Sequence, residues 1–286
     1  MIASIFDLMA PVLIAALGGV ITERAGILNI ALEGLMLIGA FTAIVVAGFS
    51  GSIILGLLAA ATASAGAAAV FGFFSVRLQA NIFIAGLAVN LLATGLVTFL
   101  SGQFFSTRGV IRIANMPSLP HIPFPTGGTI TPAPLVGLLL VPLLIYLLNQ
   151  TPFGLRVRAA GIDPEVLKGR GVAPGSVQFQ AITLSGLFCG LAGAFLSLRL
   201  EAFVPGITAG KGWIALVAVF LGRKSPVGIL LASWLFAFAD AVAGNAQGLS
   251  WLPPTLMLAF PYLITFLVLI GASALMSRRK HAERKT

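Results

Sequence analysis

Residues 52–76 read SIILGLLAAATASAGAAAVFGFFSV and contain no charged side chain. A transmembrane helix needs roughly 20 apolar residues, because the hydrocarbon core is about 30 Å thick and each helical residue rises about 1.5 Å. The stretch therefore predicts a membrane-crossing helix. Hydrophobic residues make up 58% of the 286 residues and charged residues 9%. A water-soluble domain cannot bury this much apolar surface, so we expect an all-α polytopic membrane protein.

Nine apolar stretches are candidates for transmembrane helices. They are Ile5–Val20, Gly26–Ala47, Ser52–Val76, Ile82–Leu100, Pro132–Leu148, Val177–Leu198, Ile207–Gly222, Pro226–Ala243 and Pro254–Leu275. The seventh is the least regular, because Lys211 lies within it near one end. This stretch could cross the membrane with the lysine reaching the interface. It could also be a broken segment, which is tolerated only when it is buried in protein.

The distribution of basic residues predicts the orientation of the chain. With the amino terminus outside, 13 lysine and arginine residues fall on the cytoplasmic side and 4 on the outer side. Cytoplasmic connections carry the excess of such residues, so we expect the carboxyl terminus in the cytoplasm. Residues 1–286 then form a single transmembrane domain. Its longest outer connection, residues 101–131, is either a docking surface for an external partner or a flap on the membrane.

Enzymatic chemistry has little support in the sequence. Both histidines, His121 and His281, lie outside the apolar stretches, so no HExxH zinc site can form. Gly210-Lys211-Gly212 is not a phosphate-binding loop, because the glycine spacing of that motif is missing. If ATP drives this protein, another chain hydrolyses it.

The most polar connection spans residues 151–176. Six charged residues lie between Thr151 and Val172, namely Arg156, Arg158, Asp163, Glu165, Lys168 and Arg170. Asp163 directly before Pro164 is typical of a helix start, and the glycines at 169 and 171 are typical of its end. We expect a short helix flanked by basic extended segments that contacts a cytoplasmic partner. The alternative is a loop whose charges serve topology alone, although such a loop has no need of a capped helix.

Several polar side chains fall inside the apolar stretches. A charge at the centre of a transmembrane helix costs about 2.5–3.5 kcal/mol on insertion scales, so it normally faces the bundle or a pathway. We expect Asn29 to lie one helical turn before Glu33 on the same face. The candidates for a substrate pathway are Asn29, Glu33, Asn90, Trp234, Phe238 and Asp240. Hydrogen bonding between helices is the alternative role for the polar members.

Small residues at four-residue spacing predict close helix packing. Ala60, Ser64, Ala68 and Gly72 follow this spacing in the third stretch, and Gly186 and Gly190 form a GxxxG pair in the sixth. The spacing leaves open whether the close approach occurs within one chain or between two chains.

Three blocks of the sequence resemble bacterial ABC transporter permeases of the superfamily for branched-chain amino acids, ribose and nucleosides. The first block runs from Ile21 to Phe41, the second from Gly154 to Val172, and the third from Gly210 to Leu216, followed by Gly222 and Pro226. Together they place the resemblance over roughly residues 11–275. The pairs Glu23-Arg24 and Glu33-Gly34 in the first block are most similar to the nucleoside-type permeases.

The resemblance implies a multi-pass permease subunit of an uptake system in the bacterial cytoplasmic (inner) membrane. It implies three partners: an ATPase that binds ATP and Mg, a second and different permease, and an external substrate-binding protein or lipoprotein. This chain itself is expected to have no catalytic residue, cofactor, metal or nucleic-acid partner. Coupling to the ATPase is expected at Gly154, Arg156, Arg158, Gly161, Asp163, Pro164, Glu165, Lys168 and Gly171.

Other functions stay open at this stage. The permease could carry a simple sugar or a branched-chain amino acid instead of a nucleoside. A different class is an ion-coupled secondary transporter with Glu33 and Asp240 as proton or sodium sites. That reading predicts transport by this chain alone, and the sequence shows no inverted repeat that would support it. A membrane enzyme lacks a plausible pair of nucleophile and base.

Overall fold

The computed structural model describes residues 2–114, 116–125 and 127–246, with only the backbone described at 245 and 246. The helices in these ranges are α1 Ile2–Arg24, α2 Leu32–Ser50, α3 Ile53–Gly72, α4 Ile82–Phe105, α5 Pro132–Gln150, α6 Pro152–Ile162, α7 Pro164–Gly169, α8 Pro174–Leu200, α9 Lys211–Leu221 and α10 Pro226–Ala246. A π-helical turn, Phe73–Arg77, continues α3. Two short antiparallel strands, β1 Ile122–Pro123 and β2 Thr129–Ile130, form a hairpin.

In the described ranges, 7 helices are long and apolar enough to cross a membrane: α1, α2, α3 with its π-helical turn, α4, α5, α8 and α10. The prediction of a mostly helical, multi-pass membrane protein is confirmed. The predicted span Pro254–Leu275 lies outside the described residues, so the total of about nine helices stays a prediction. The orientation of the termini stays a prediction as well.

The seventh predicted span is a half-helix. α9 covers only Lys211–Leu221, a length of roughly 16 Å at 1.5 Å per residue, which is about half the hydrocarbon thickness. The preceding residues, 201–210, form turns instead of a helix. The prediction of a full span over Ile207–Gly222 is therefore wrong, and the alternative of a broken segment describes this part of the chain.

The start of the second span also differs from the prediction. Helix α2 begins at Leu32, and residues 25–31 are not helical. Gly26 has a φ of +78°, and the Asn29 side chain accepts a hydrogen bond from the Ala31 backbone N–H at 3.0 Å. Asparagine side chains bonded to nearby backbone in this way compete with helical hydrogen bonding. The apolar composition of Gly26–Ala47 does not reveal this competition. It therefore places the start of the helix before Leu32, where the helix begins.

Helices α1 and α8 form the centre of the bundle, and α8 packs against α1, α2 and α3. The GxxxG pair of α8 lies directly on the small-residue face of α3: Gly186 contacts Ser64 and Ala68, and Gly190 contacts Ala60. The close approach that the spacing predicts therefore occurs within this one chain. It lets backbones meet without intervening side chains, which is how helices gain contact in a membrane.

The ends of the helices define two sides of the molecule. Arg24 at the end of α1 contacts α6 through Gly161, so α6 and α7 lie on the side where α1 ends. We call this the α6–α7 side. On the opposite side, α4 continues to Phe105, which shortens the predicted connection 101–131 to residues 106–131. Asp7, a buried carboxylate, accepts hydrogen bonds there from the Thr131 backbone N–H at 3.0 Å and the Thr131 hydroxyl at 2.8 Å.

Replacing Gly190 by alanine is expected to lower the free energy of unfolding by about 1–3 kcal/mol, the typical cost of overpacking. A Cβ at this position would lie 2.8 Å from the Ala61 Cα, and that backbone cannot move away cheaply. The matched control is Gly66→Ala on α3, where no atom lies within 4 Å of the added Cβ. We expect this control to be neutral or slightly stabilising, because alanine favours a helix over glycine. Thermal unfolding of both variants in detergent is the measurement, and equal midpoints would contradict the packing argument.

Candidate functional site

The amino terminus of α9 is capped by a carboxylate from another helix. Glu33 of α2 accepts a hydrogen bond from the Gly210 backbone N–H at 2.9 Å through Oε1, and from the Gly212 N–H at 2.7 Å through Oε2. The first N–H groups of a helix have no partner within it, and this end of the helix carries a partial positive charge. A carboxylate satisfies both needs. Glu33 therefore fixes where the half-helix begins.

Asn90 of α4 holds the break before α2 together. Its Oδ1 accepts from the Gly34 N–H at 2.8 Å, and its Nδ2 donates to the Ile30 carbonyl at 2.9 Å. The side chain therefore replaces hydrogen bonds that a continuous helix would have made across this segment. An unpaired backbone group costs several kcal/mol where no water is present, so such a partner is needed at this point.

Asn29 lies in the non-helical segment before α2, one residue from the Ile30 carbonyl that Asn90 binds. Its Nδ2 donates to the Ser185 hydroxyl of α8 at 3.0 Å. The prediction that Asn29 and Glu33 share one helical face is wrong, because the helix starts between them. The structure nevertheless brings Asn29, Glu33 and Asn90 together around the same break. Their contacts with protein groups favour the bonding role over the pathway role, while contact with a substrate stays a prediction.

The other three predicted pathway residues lie on α10. Trp234 and Phe238 stack on each other, with ring centroids 5.6 Å apart and planes inclined by 16°, and both rings are partly exposed. Asp240 lies within electrostatic reach of Lys211, the first residue of α9. A role of these three residues in substrate contact stays a prediction.

The short helix predicted after Asp163 is present as α7, Pro164–Gly169. The Asp163 carboxylate accepts from the N–H groups of Glu165 at 3.1 Å and Val166 at 3.3 Å, as an N-cap does. Lys168 forms an exposed ion pair with Glu165 at 2.7 Å. Gly171, with a φ of +75°, follows the end of the helix. The expected extended segment before α7 is wrong, because residues 152–162 form α6, with the Thr151 hydroxyl as its cap.

Two glycines fix α6 to the membrane-spanning part. Gly154 lies against the carbonyl groups of Leu147 and Leu148 at the end of α5. Gly161 lies against the Arg24 carbonyl and Gly26, in the turn that follows α1. Any larger side chain at either position would collide with backbone. The two glycines therefore link α6 rigidly to α5 and to the segment that leads into α2.

Sequence reasoning missed the apolar side chains of the same region. Leu155 is 58% exposed, Ile162 85% and Val166 54%, and the charged residues Arg156, Glu165, Lys168 and Arg170 are exposed around them. Exposed apolar side chains clustered within a charged segment mark an interaction surface. Their spacing of seven and four residues is a recognisable signal.

The other end of α9 is held by the same segment that caps its beginning. Lys224, in the turn between α9 and α10, forms an ion pair with Glu23 at 2.8 Å. The Arg24 Nε also donates to the Lys224 carbonyl at 2.9 Å. Residues 23–33 therefore contact both ends of α9. Among the described residues, no cluster of three or more His, Cys, Asp or Glu could hold a metal ion.

Removing the Glu33 carboxylate is expected to expose the beginning of α9. Glu33→Ala leaves two backbone donors without their partner, which costs about 1–3 kcal/mol for each buried group. Glu33→Gln keeps one acceptor oxygen. The exchange rates of the two amides in this variant should therefore lie between those of the wild type and those of Glu33→Ala. Hydrogen exchange of the Gly210 and Gly212 amides measures the effect directly. Glu165→Ala, which removes an exposed carboxylate, is the control, and unchanged exchange in Glu33→Ala would show that the cap is unimportant.

Comparison with known proteins identifies the family. The family described as "Branched-chain amino acid transport system / permease component" matches residues 1–270. Nucleoside ABC transporter permease protein NupC of Lactococcus lactis is 32% identical, over 94% of this chain and 90% of that protein. Guanosine ABC transporter permease protein NupQ of Bacillus subtilis is 32% identical, over 92% of this chain and 88% of that protein. The "Putative glucose ABC transporter permease protein TsgC13" of Haloferax volcanii is 33% identical, over 90% and 86%.

A solved structure shares the fold. It is described as "An inward-facing conformation of a putative metal-chelate type ABC transporter", and it matches with a TM-score of 0.55 at 18% identity, over 94% of this chain and 85% of that one. At this identity the likeness concerns the fold alone. The family match and the relatives extend over nearly the whole chain, and the resemblance expected from the three sequence blocks is confirmed. The chain belongs to the branched-chain amino acid transport system permease family and is a permease subunit of an ABC transporter.

Proposed function

We propose that this permease imports nucleosides across the bacterial cytoplasmic (inner) membrane, as one of two different permease subunits served by a separate ATPase. The observation that carries the ATPase part is the exposed apolar surface of α6 and α7, formed by Leu155, Ile162 and Val166. A surface of this kind on a capped helix is suited to dock on a partner. ATP and Mg would bind to that partner, and an external binding protein would deliver the substrate to the opposite side.

The nucleoside part rests on NupC and NupQ, which are named for nucleosides and guanosine. A simple sugar is the second candidate, because TsgC13 is similar to the same degree and is named for glucose. A branched-chain amino acid is supported only by the description of the family. The two leading substrates share ring hydroxyl groups, and the nucleobase distinguishes them.

The contacts on the α6–α7 side suggest how the ATPase acts on the permease. Closure of the ATPase subunits would push α6, and Gly161 would pass this displacement to the Arg24–Gly26 turn. Glu23 and Arg24 bind Lys224 in the turn that follows α9. The carboxyl-terminal end of α9 would therefore move with them. Glu33 holds the other end of α9. The half-helix and the break before α2 would therefore move as one body, and alternating access would follow from that movement.

Nucleoside uptake by the reconstituted transporter tests the substrate. This chain is purified with the subunits that accompany it from its native membrane and is placed in liposomes with the external binding protein. We expect ATP-dependent uptake of guanosine or adenosine. Glucose and leucine should inhibit this uptake at least tenfold less well than a competing nucleoside does. ATP-dependent uptake of glucose without nucleoside uptake would favour the sugar permease. Uptake by this chain alone under a proton or sodium gradient would favour the secondary transporter.

Replacing the exposed apolar residues tests the ATPase surface. In the double variant Ile162→Ser and Val166→Ser, we expect ATPase retention during co-purification to fall at least tenfold. Burial of one such side chain contributes about 1.5–3 kcal/mol, and about 1.4 kcal/mol corresponds to a factor of ten in binding. Val110→Ser, which changes an exposed valine on the opposite side, is the control and should retain the ATPase. Normal retention in the double variant, at normal membrane levels, would place the ATPase elsewhere.

A further inference from the structure

Two arginine side chains lie close together where α1, α5 and α6 meet on the α6–α7 side. Arg24 is the last residue of α1, and Arg158 of α6 lies within electrostatic reach of it. Gly154, about one turn before Arg158, packs on the end of α5. Gly161, near the end of α6, packs on the Arg24 carbonyl. Backbone contacts on both sides of Arg158 therefore hold the two like charges near each other.

Arg24 is oriented by hydrogen bonds that use only part of its guanidinium group. Its Nε donates to the Lys224 carbonyl at 2.9 Å, and its Nη1 donates to the Asn149 Oδ1 at 3.5 Å, at the end of α5. Its Nη2 has no hydrogen-bond partner among the described residues. A guanidinium group held in this way is pre-organised, so it loses little further freedom when it binds an anion.

Arg158 has no counter-charge within the described part of the chain. Its Nε is buried and no described group accepts a hydrogen bond from it. Glu23, the acidic residue next to Arg24, is paired with Lys224, and the ion pairs between described residues include neither arginine. A buried donor without an acceptor is unfavourable, and a second cation beside it adds repulsion. An anion that contacts both arginines would relieve both costs.

An exposed apolar strip of α5 leads to this pair of arginines. Leu139, Leu143 and Tyr146 are exposed, and their spacings of four and three residues place them on one face of the helix. Asn149, three residues further along, accepts the hydrogen bond from Arg24. Exposed apolar side chains on a spanning helix suit the acyl chains of lipids, and a tyrosine near its end suits the level of the head groups. A lipid lying on this strip would bring its head group to the arginines.

We propose that Arg24 and Arg158 bind the phosphate of an anionic membrane lipid whose acyl chains lie along α5. A phosphate offers several acceptor oxygens, and guanidinium groups bind it through parallel hydrogen bonds. In the orientation of the proposed function this side faces the cytoplasm, where basic pockets between spanning helices bind the head groups of anionic lipids. The phosphate would join α6 to the end of α1 by charge, where Gly161 joins them by backbone contact.

A carboxylate of the ATPase is the competing partner. Arg158 borders the proposed ATPase surface, where it lines a groove with Leu155 and Ile162, and a carboxylate on that surface would meet Arg158 alone. Arg24 is bonded to Asn149 at the end of α5, so a group that neutralises both arginines has to arrive along α5. The lipid is the partner that reaches both.

Lipid retention by the purified transporter complex tests the assignment. The complex is placed in vesicles of equal parts phosphatidylglycerol and phosphatidylcholine, extracted in mild detergent, and analysed for bound lipid by mass spectrometry. We expect the wild type to prefer phosphatidylglycerol, and we expect Arg158→Gln to lower this preference about fivefold, as loss of one basic residue near an anionic lipid predicts. Arg158→Lys keeps the charge without the planar donors, so its preference should lie between the two. Arg77→Gln, which changes an exposed arginine at the end of the π-helical turn, is the control and should match the wild type.

The outcomes distinguish the lipid from other anions. A lower preference in Arg158→Gln that Arg158→Lys partly restores, with the ATPase retained, supports the assignment. Equal preference in the wild type and Arg158→Gln overturns it, as does loss of the ATPase in that variant with unchanged lipid retention. If excess inorganic phosphate displaces phosphatidylglycerol from the wild type and binds in its place, the site takes free phosphate and the lipid assignment is overturned.

The test does not depend on a single variant or on the transported substrate. If Arg158→Gln fails to assemble, Arg158→Lys decides, and a preference equal to that of the wild type overturns the assignment. The lipid measurement is independent of which substrate is imported. Failure of nucleoside uptake would therefore overturn the proposed function and leave the lipid assignment to be decided by these variants.

Discussion

The hydrogen bonds from Gly210 and Gly212 to the Glu33 carboxylate are the constraint around which the rest of the structure is organised. A helix that begins inside a bilayer exposes N–H groups where no water is available to bind them, and each unpaired group costs several kcal/mol. A carboxylate at the same depth is costly as well. Each cost is reduced by the presence of the other, so the half-helix and the acidic residue stabilise one another.

A second break supports the first. Helix α2 starts late because the Asn29 side chain binds the backbone locally, and this late start places Glu33 in its first turn, close to the beginning of α9. Asn90 supplies the hydrogen bonds that the break would otherwise leave unmade. The close packing of α8 on α3 and α2 through Gly186, Gly190 and Gly193 brings the surrounding helices near enough to exclude lipid from these polar groups. Asn29, Ile30 and Ala31, the last residues of the break before α2, are buried, so this irregular backbone is enclosed by protein, as a membrane requires.

Length and apolar composition were enough to predict most of the helices, because a membrane imposes both on any spanning segment. The cap of α7 was also predictable, since Asp163 and Pro164 act through local geometry. The late start of α2 was not, because Gly26–Ala47 is mostly apolar and the competing bond of Asn29 depends on one side chain. The partner of the Gly186 and Gly190 pair was equally undetermined, because spacing gives the face of a helix and not the helix that it meets.

Residues 23–33 contact both α6 and the two ends of α9. Glu23 and Arg24 bind Lys224 just after the carboxyl-terminal end of α9, and Glu33 binds its amino-terminal end. Gly26 contacts α6. In the proposed mechanism, a displacement of α6 would reach α9 through backbone contact at one end and hydrogen bonds at the other. Because both ends of α9 are attached to the same segment, the half-helix is more easily displaced as a whole than bent. A spanning helix in its place would be held by both membrane interfaces. In the proposed mechanism, the half-length of α9 would let it move together with residues 23–33.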